Sequence, residues 1–164
     1  MSVRKNSEKE EVQFRRAWEL WDQGYHRRAF RLFLLAAKKG HLSSQLNIGY
    51  CYDVGVATKK NTQKAIYWYK RAYRGGNAGA ANNIGTMLRD SKKFAHALKW
   101  FERALQMGDD GAAFEIAKIY LNHYADTSAA IRYLRTVVKS DRLDETTQNK
   151  ARRLLMSAKK LKRE

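Results

Sequence analysis

The sequence predicts an all-α fold of about four helical hairpins followed by one C-terminal capping helix. Three observations predict it: small and aromatic residues recur at helical spacing, the chain has no proline, and short polar or glycine-containing stretches separate the periodic segments. The absence of proline removes the residue that most often interrupts a helix. The chain is therefore expected to form helices joined by tight turns.

The repeated feature is clearest in the second hairpin. Its second helix carries Ala65, Tyr69 and Ala72, at offsets that place all three on one helical face, and Gly49 lies in its first helix. The matching residues of the first, third and fourth hairpins are Ala17, Ala29, Phe33 and Ala36; Gly85, Ala97, Phe101 and Ala104; and Ala117, Ala129, Tyr133 and Thr136. The pattern predicts that each hairpin buries its small residues where two helices approach closely.

The helices follow in order from these anchors and from the turn signals. They are expected at residues 11–23 and 26–39, 43–54 and 62–74, 79–90 and 94–107, and 111–123 and 127–140. A further segment at 144–161 has an apolar face and no returning helix, which is typical of the cap that covers the end of a repeat array. The predicted organisation is a flexible segment at 1–10, repeats at 11–140, and a capping helix with a basic tail at 141–164.

The resemblance to a known family rests on residues 47–77. This stretch contains an apolar-Gly-x-x-Tyr turn followed by Lys-Ala-x-x-Trp-Tyr, carried by Ile48, Gly49, Tyr52, Gly55, Lys64, Ala65, Trp68, Tyr69, Ala72 and Gly75. The pattern resembles the Sel1-like repeat family, a relative of the tetratricopeptide repeats, and departs from it at Ser44, Ala57, Thr58, Asn61 and Tyr73. The third hairpin keeps Ala80, Ile84, Gly85, Ala97, Trp100, Phe101 and Ala104 with a shorter loop. The resemblance implies a right-handed α/α superhelix that serves as a protein-interaction scaffold and not as an enzyme.

The first helices of such superhelices line the concave face, so the resemblance also selects candidate partner-binding residues. They are Phe14, Trp18, Trp21, Leu46, Tyr50, Asn82, Thr86, Arg89, Phe114 and Lys118. Aromatic and Arg side chains are frequent binding anchors. Trp18 and Trp21 have a second interpretation, which is that they cover the N-terminal end of the array as a cap.

The charge of the chain points to acidic partners. Its 33 Lys and Arg residues against 16 Asp and Glu give a net charge of +17, which favours attraction to acidic proteins, nucleic acids or anionic membranes. Second helices are expected on the convex side, where a basic face would contain Lys64, Lys70, Arg71, Arg74, Lys99 and Arg103. Tyr67 and Tyr73 lie among these cations, so nucleic-acid binding is the alternative function. The simpler interpretation is a solvated basic surface.

No motif predicts catalysis, a cofactor or a metal site. The four histidines lack paired-ligand spacing, Cys51 has no adjacent base and is expected to be semi-buried, and no phosphate-binding glycine loop is present. A single cysteine excludes an internal disulfide, and no apolar run reaches the roughly 18 residues of a spanning helix. Together with the resemblance, these observations predict a cytoplasmic, non-catalytic scaffold that binds an acidic protein. The resemblance to small Sel1-like proteins implies a bacterial immunity or adaptor protein as its concrete form.

Overall fold

The computed structural model describes the backbone of residues 2–162 and the side chains of residues 11–162. Within that range the chain forms nine α-helices and no strand. They are α1 (Ser2–Asp22), α2 (His26–Lys38), α3 (Leu42–Val54), α4 (Thr62–Arg74), α5 (Ala78–Asp90), α6 (Phe94–Gln106), α7 (Gly111–His123), α8 (Thr127–Lys139) and α9 (Glu145–Leu161). The all-α prediction is confirmed, and the helix ends agree to within one residue except that α1 begins at Ser2. The side chains of residues 1–10, and all of Arg163 and Glu164, lie outside the described residues, so the expected flexibility of 1–10 stays a prediction.

The chain packs as two units, residues 1–80 and residues 81–164, called here the N-terminal unit and the C-terminal unit. In the N-terminal unit α1 packs on α2, α2 on α3 and α3 on α4. In the C-terminal unit α6 packs on α7, α7 on α8 and α8 on α9. Neighbours in the sequence are thus neighbours in each unit, as expected for repeated hairpins.

The core of the N-terminal unit is built from the predicted small and aromatic positions. Ala29, Phe33 and Ala36 of α2 are buried on one face, and Trp68 of α4 joins the same core together with Ile48 of α3. Burying a side chain as large as Phe33 contributes about 1.5–3 kcal/mol to stability. Spacing along each helix therefore determines which face is buried.

Close helix packing explains two glycines in the middle of helices. A Cβ added at Gly85 would lie 2.7 Å from Cδ1 of Phe101, and one added at Gly49 would overlap the ring of Tyr69. Both rings are fully buried. The prediction that Gly49 and Gly85 permit close approach is confirmed, and it accounts for glycine at positions where it costs about 1 kcal/mol relative to alanine.

The fourth hairpin differs from the predicted register by one residue. The buried face of α8 contains Ala130, Leu134 and Val137, whereas Ala129 and Tyr133 are only half-buried and Thr136 is exposed. The buried small residue is the fourth residue of its helix in α2, α4, α6 and α8 alike. The prediction was wrong because it kept the distance from Ala117 fixed, while the helix start determines which face is buried.

The turns inside the hairpins share a backbone conformation. The middle residue of each three-residue turn has a positive φ: 82° at Gly24, 57° at Lys92 and 51° at Ala125. Glycine adopts this left-handed region without strain, whereas Lys92 and Ala125 do so against the preference of residues with a Cβ. The turn geometry is thus kept even where glycine is absent.

Side-chain caps fix where several helices begin. Asn61, Asp126 and Asp144 each accept a hydrogen bond from the backbone N–H three residues later, at 2.9, 2.8 and 2.9 Å. Hydrogen bonds from the Thr147 hydroxyl and N–H lower the pKa of the Asp144 carboxyl below its usual value. These caps satisfy backbone donors that a helix leaves without internal partners.

Candidate functional site

An open pocket in the N-terminal unit brings together three of the predicted partner-binding residues. Trp18 and Trp21 of α1 and Tyr50 of α3 line it, together with Phe33, Asn47 and Cys51, and its volume is about 330 Å³. Tyr50 is 46% exposed and Trp18 is 39% exposed. The pocket therefore presents aromatic surface to solvent.

The aromatic rings of the pocket are held by contacts with one another. The Trp18 and Trp21 rings meet edge to face at 6.4 Å, and Trp18 meets the buried Phe33 ring at 5.6 Å. Trp21 also contacts the imidazole of His26 at 4.5 Å. Because Trp18 and Trp21 cover Phe33 and also line the pocket, their contacts agree with both interpretations offered by the sequence, a cap and a binding surface.

Two predicted residues of the N-terminal unit lie outside this pocket. Phe14 packs on Phe33 at 5.8 Å and on His41 at 4.6 Å, so it supports the aromatic cluster from α1. Leu46 is half-buried, and its Cδ2 lies 3.9 Å from the position that a Cβ of Gly79 would take. Both side chains contact the protein itself and do not line the pocket.

The inner lining of the pocket contains residues that the sequence did not select. Cys51 is fully buried, not semi-buried as expected, and burial raises the pKa of its thiol from 9.0 to about 11. Asn47 Nδ2 is buried and has no hydrogen-bond partner within the described part of the chain. No spacing signal marks Asn47 or Phe33 as pocket residues, because each is contributed by tertiary packing.

The two cations predicted for the partner-binding face of the C-terminal unit, Arg89 and Lys118, are paired within that unit. Arg89 pairs with Asp90 at 2.8 Å and also with Glu115, whose other carboxylate oxygen lies 2.6 Å from Lys118 Nζ. Burial alone would lower the pKa of Arg89, but the hydrogen bonds and charges of Asp90 and Glu115 outweigh it and raise that pKa. Glu115 is the centre of this network. Glu115 is not among the residues selected from the sequence, although its i,i+3 spacing to Lys118 is a recognisable signal.

The remaining predicted residues of the C-terminal unit also have contacts within the fold. Asn82 Nδ2 donates a hydrogen bond to Asp109 at 2.9 Å, and the Lys118 ammonium lies 5.2 Å from the centre of the Phe114 ring. Thr86 is half-buried on α5. These side chains therefore have contacts within the unit, although Asn82 Oδ1 is buried without a hydrogen-bond partner in the described part of the chain.

The predicted basic residues divide between α4 and α6. Lys64 lies over Tyr52 at 5.2 Å, Arg71 over Trp68 at 5.4 Å and Arg103 over Trp100 at 4.6 Å. These cations cover aromatic rings of the protein through cation–π contacts. The other three predicted residues, which are exposed, are Lys70, Arg74 and Lys99.

Within the described residues, no group of three or more His, Cys, Asp or Glu side chains is placed to hold a metal ion. Across the same part of the chain, every helix is too short or too polar to cross a bilayer.

Comparison with protein families identifies the repeats. Residues 26–41 and 42–77 match the family model of the Sel1 repeat, and residues 77–108 match that of a tetratricopeptide repeat. These matches extend from the start of α2 through the end of α6. The resemblance noted in the sequence is confirmed over this range, and the third hairpin, which has the shorter loop, is the one that matches the tetratricopeptide model.

Known proteins with similar sequence or structure are consistent with these matches. A 45-residue segment, 27% of this chain, is 42% identical to chitin synthase regulatory factor 3 of Schizosaccharomyces pombe and covers 5% of that relative. A Sel1 repeat protein from Oxalobacter formigenes superposes with a TM-score of 0.66 at 27% identity, over 77% of this chain and 55% of that one. Protein c5321, a protective antigen present in uropathogenic Escherichia coli strains that displays an SLR fold, superposes with a TM-score of 0.66 at 24% identity. The superposition covers 77% of this chain and 30% of c5321. The chain thus spans a small part of the curated relative and about half of the first of these structures.

Proposed function

This chain is a Sel1-like repeat protein, and we propose that it is a non-catalytic scaffold that binds another protein through the aromatic pocket of its N-terminal unit. Sel1 and tetratricopeptide repeats generally mediate protein–protein interaction. The observation that carries the proposal is the convergence of Trp18, Trp21 and Tyr50 around one open pocket. Trp and Tyr are enriched among residues that dominate binding energy because they offer large contact area with few rotatable bonds.

The pocket fits an apolar or aromatic side chain from a segment of the partner. Its wall is made of ring faces and edges already fixed by contacts with Phe33 and His26, so little side-chain entropy is lost when a partner binds. Aromatic pairs add about 0.5–1.5 kcal/mol beyond the area they bury. A partner side chain that covers Tyr50 and Trp18 would remove from water surface that is exposed in the free protein.

Catalysis by the one cysteine is disfavoured by its environment. Because burial raises the pKa of the Cys51 thiol to about 11, the nucleophilic thiolate is scarce at neutral pH.

The net charge of +17 favours a partner with an acidic surface and would raise the association rate. A cytoplasmic immunity or adaptor protein would combine these properties, and a toxin gene beside the gene for this chain would support the immunity role.

The test compares pocket variants in capture from a lysate of the source cells. Tyr50→Ala is the most informative single change because the side chain is 46% exposed and is not part of the buried core. We expect Tyr50→Ala to weaken recovery of the partner by about tenfold, equivalent to about 1.4 kcal/mol. The double variant Trp18→Ala/Trp21→Ala should abolish recovery.

Tyr67→Ala provides the matched control. Tyr67 is 55% exposed, lies on α4 and does not line the pocket, so its loss should leave recovery unchanged. Circular dichroism of each variant checks that the helices are intact. Equal recovery by wild type and a folded Tyr50→Ala, or equal loss with Tyr67→Ala, would contradict binding at the pocket.

A further inference from the structure

A second pocket, in the C-terminal unit, is lined by four cationic side chains. Arg132 and Arg135 of α8 lie on one side, and Lys159 of α9 with Lys162 at its C-cap lies on the other. Ser128 and Ile131 complete the lining, and the volume is about 450 Å³. None of these four cations is among the basic residues selected from the sequence.

The position of this pocket follows from the packing of α8 on α9. Arg132 and Arg135 are three residues apart, as are Lys159 and Lys162, and this spacing places each pair on one side of its helix. Ile131 is only 7% exposed and belongs to the core cluster that includes Ala158 of α9. The charged heads therefore surround an apolar floor that is fixed by the core.

The four charges have no carboxylate partner within the described part of the chain. Among the residues whose side chains the structure describes, no carboxylate forms an ion pair or hydrogen bond with Arg135, Lys159 or Lys162. The Arg132 guanidinium lies over the Tyr133 ring at 5.2 Å. This differs from Arg89 and Lys118, which share Glu115. Like charges brought together without a counter-ion repel one another, so an anionic ligand would relieve that repulsion.

The acidic residues of the α8–α9 hairpin lie at its helix ends and, in the case of the exposed Asp141, in the turn that joins the two helices. Asp126 and Asp144 are helix caps, with their carboxylates bonded to backbone N–H groups. The body of α8 contains no acidic residue, and α9 has only Glu145, in its first turn. The hairpin therefore presents cations along its length without carboxylates interspersed among them.

We propose that this pocket, called here the basic pocket, binds an acidic segment of a partner protein. Arg guanidinium groups bind carboxylates through paired hydrogen bonds, Lys ammonium groups add charge, and Ile131 offers an apolar contact. Among the described residues, no aromatic side chain lines the pocket, so this part of the chain offers no stacking platform of the kind that single-stranded nucleic-acid sites use. The fitting ligand is a run of Asp and Glu that contains an apolar residue. The inference rests on the proposed scaffold function and names the chemistry of the partner segment.

The test measures binding of a defined peptide to the full chain by fluorescence polarisation. A labelled peptide of about ten residues, rich in Asp and Glu with one Leu, is long enough to reach across two helices whose axes lie about 8–10 Å apart. At about 150 mM salt, where distant charges are screened, we expect Arg132→Glu/Lys159→Glu to lower its affinity at least about tenfold. Arg132→Gln/Lys159→Gln should also lower the affinity for the peptide. This variant takes the place of the charge-reversal variant if that variant does not fold.

Lys59→Glu/Lys150→Glu is the matched control. Both side chains are exposed, the net charge changes by the same amount, and neither lines the basic pocket. We expect this control to change affinity by less than about threefold, because screened charges away from the contact act weakly. Equal loss in the control would overturn the proposal and show attraction by net charge alone.

Two further probes distinguish the ligand. A peptide with Gln in place of Glu and Asn in place of Asp should bind at least about tenfold more weakly; equal binding would overturn the role of the carboxylates. A single-stranded oligonucleotide that bound more tightly than the acidic peptide, and lost binding in the same variant, would overturn the proposal in favour of nucleic acid. If the acidic peptide does not bind while Tyr50→Ala still loses the lysate partner, only the basic pocket is refuted. If the acidic peptide binds at the basic pocket but Tyr50→Ala still recovers the lysate partner, only the aromatic pocket is refuted.

Discussion

The residue that follows the small anchor in each first helix differs between the two units. In the N-terminal unit it is Trp18 after Ala17 and Tyr50 after Gly49, and both rings remain partly exposed. In the C-terminal unit it is Thr86 after Gly85 and Lys118 after Ala117, and Lys118 is held by Glu115. The anchor positions thus determine how the helices pack, while the adjacent position determines what each unit presents to solvent.

The largest effect on stability is expected at the glycine anchors, and a comparison of Gly49 with Gly85 tests whether these positions act alike in both units. Gly49→Ala should destabilise the protein by about 2 kcal/mol, since overpacking costs about 1–3 kcal/mol and exceeds the gain in helix propensity. Gly85→Ala should cost less, because the overlap with Phe101 is smaller than that with Tyr69. Urea unfolding followed by circular dichroism measures both changes.

A double-mutant cycle provides the control for this prediction. Tyr69→Leu should cost less in the Gly49→Ala background than in the wild type, because the smaller side chain relieves the overlap. Strictly additive costs would contradict the contact between Gly49 and Tyr69 as the reason for glycine at this position.

An intermediate effect is expected where the C-terminal unit pairs its charges. Glu115→Gln removes the carboxylate shared by Arg89 and Lys118, and we expect a loss of about 1 kcal/mol that becomes smaller as salt is raised. Glu19→Gln is the matched control, since the Arg16–Glu19 pair is exposed at both side chains and should contribute at most about 0.5 kcal/mol. Thermal unfolding at low and high salt measures both; a larger loss for Glu19→Gln would reverse the comparison.

The smallest expected effect concerns the reactivity of the Cys51 thiol beside the aromatic pocket. Because burial raises the pKa of Cys51 to about 11, the rate of labelling by a thiol reagent in the folded protein should keep rising with pH beyond 9. Trp18→Ala should speed labelling several-fold by removing part of the pocket wall, while Glu115→Gln leaves the rate unchanged. A rate that levels off near pH 9, or an equal response to both substitutions, would contradict this account.

The sequence was sufficient to predict the helices and most of the core. Helix spacing and the absence of proline located Ala65, Tyr69 and Ala72 on one buried face, because local periodicity carries that information. The anchors of α8 were misplaced by one residue because they were counted from Ala117 in the preceding helix. The buried small residue, Ala130, is instead set by its position as the fourth residue of α8. Periodicity within a helix is thus more reliable than distance between helices.

The candidate site could be predicted only in part. The offsets selected Trp18, Trp21 and Tyr50, which the structure brings to one pocket, but offsets cannot show which selected side chains already have partners. Arg89 appeared available in the sequence and is paired with Glu115, which lies on another helix. The basic pocket was missed for the same reason, since the approach of α9 to α8 is a tertiary contact.

The packing of each helix on its sequence neighbours has a consequence for how the chain folds. The turns within and between these hairpins are short, so each helix pair forms by closing a small loop at low entropic cost. Proteins dominated by such local contacts fold rapidly, and repeat arrays can nucleate at more than one place and then extend. A newly made N-terminal unit therefore already contains the sequence needed to bury Phe33 and Trp68 before residues beyond it have been synthesised.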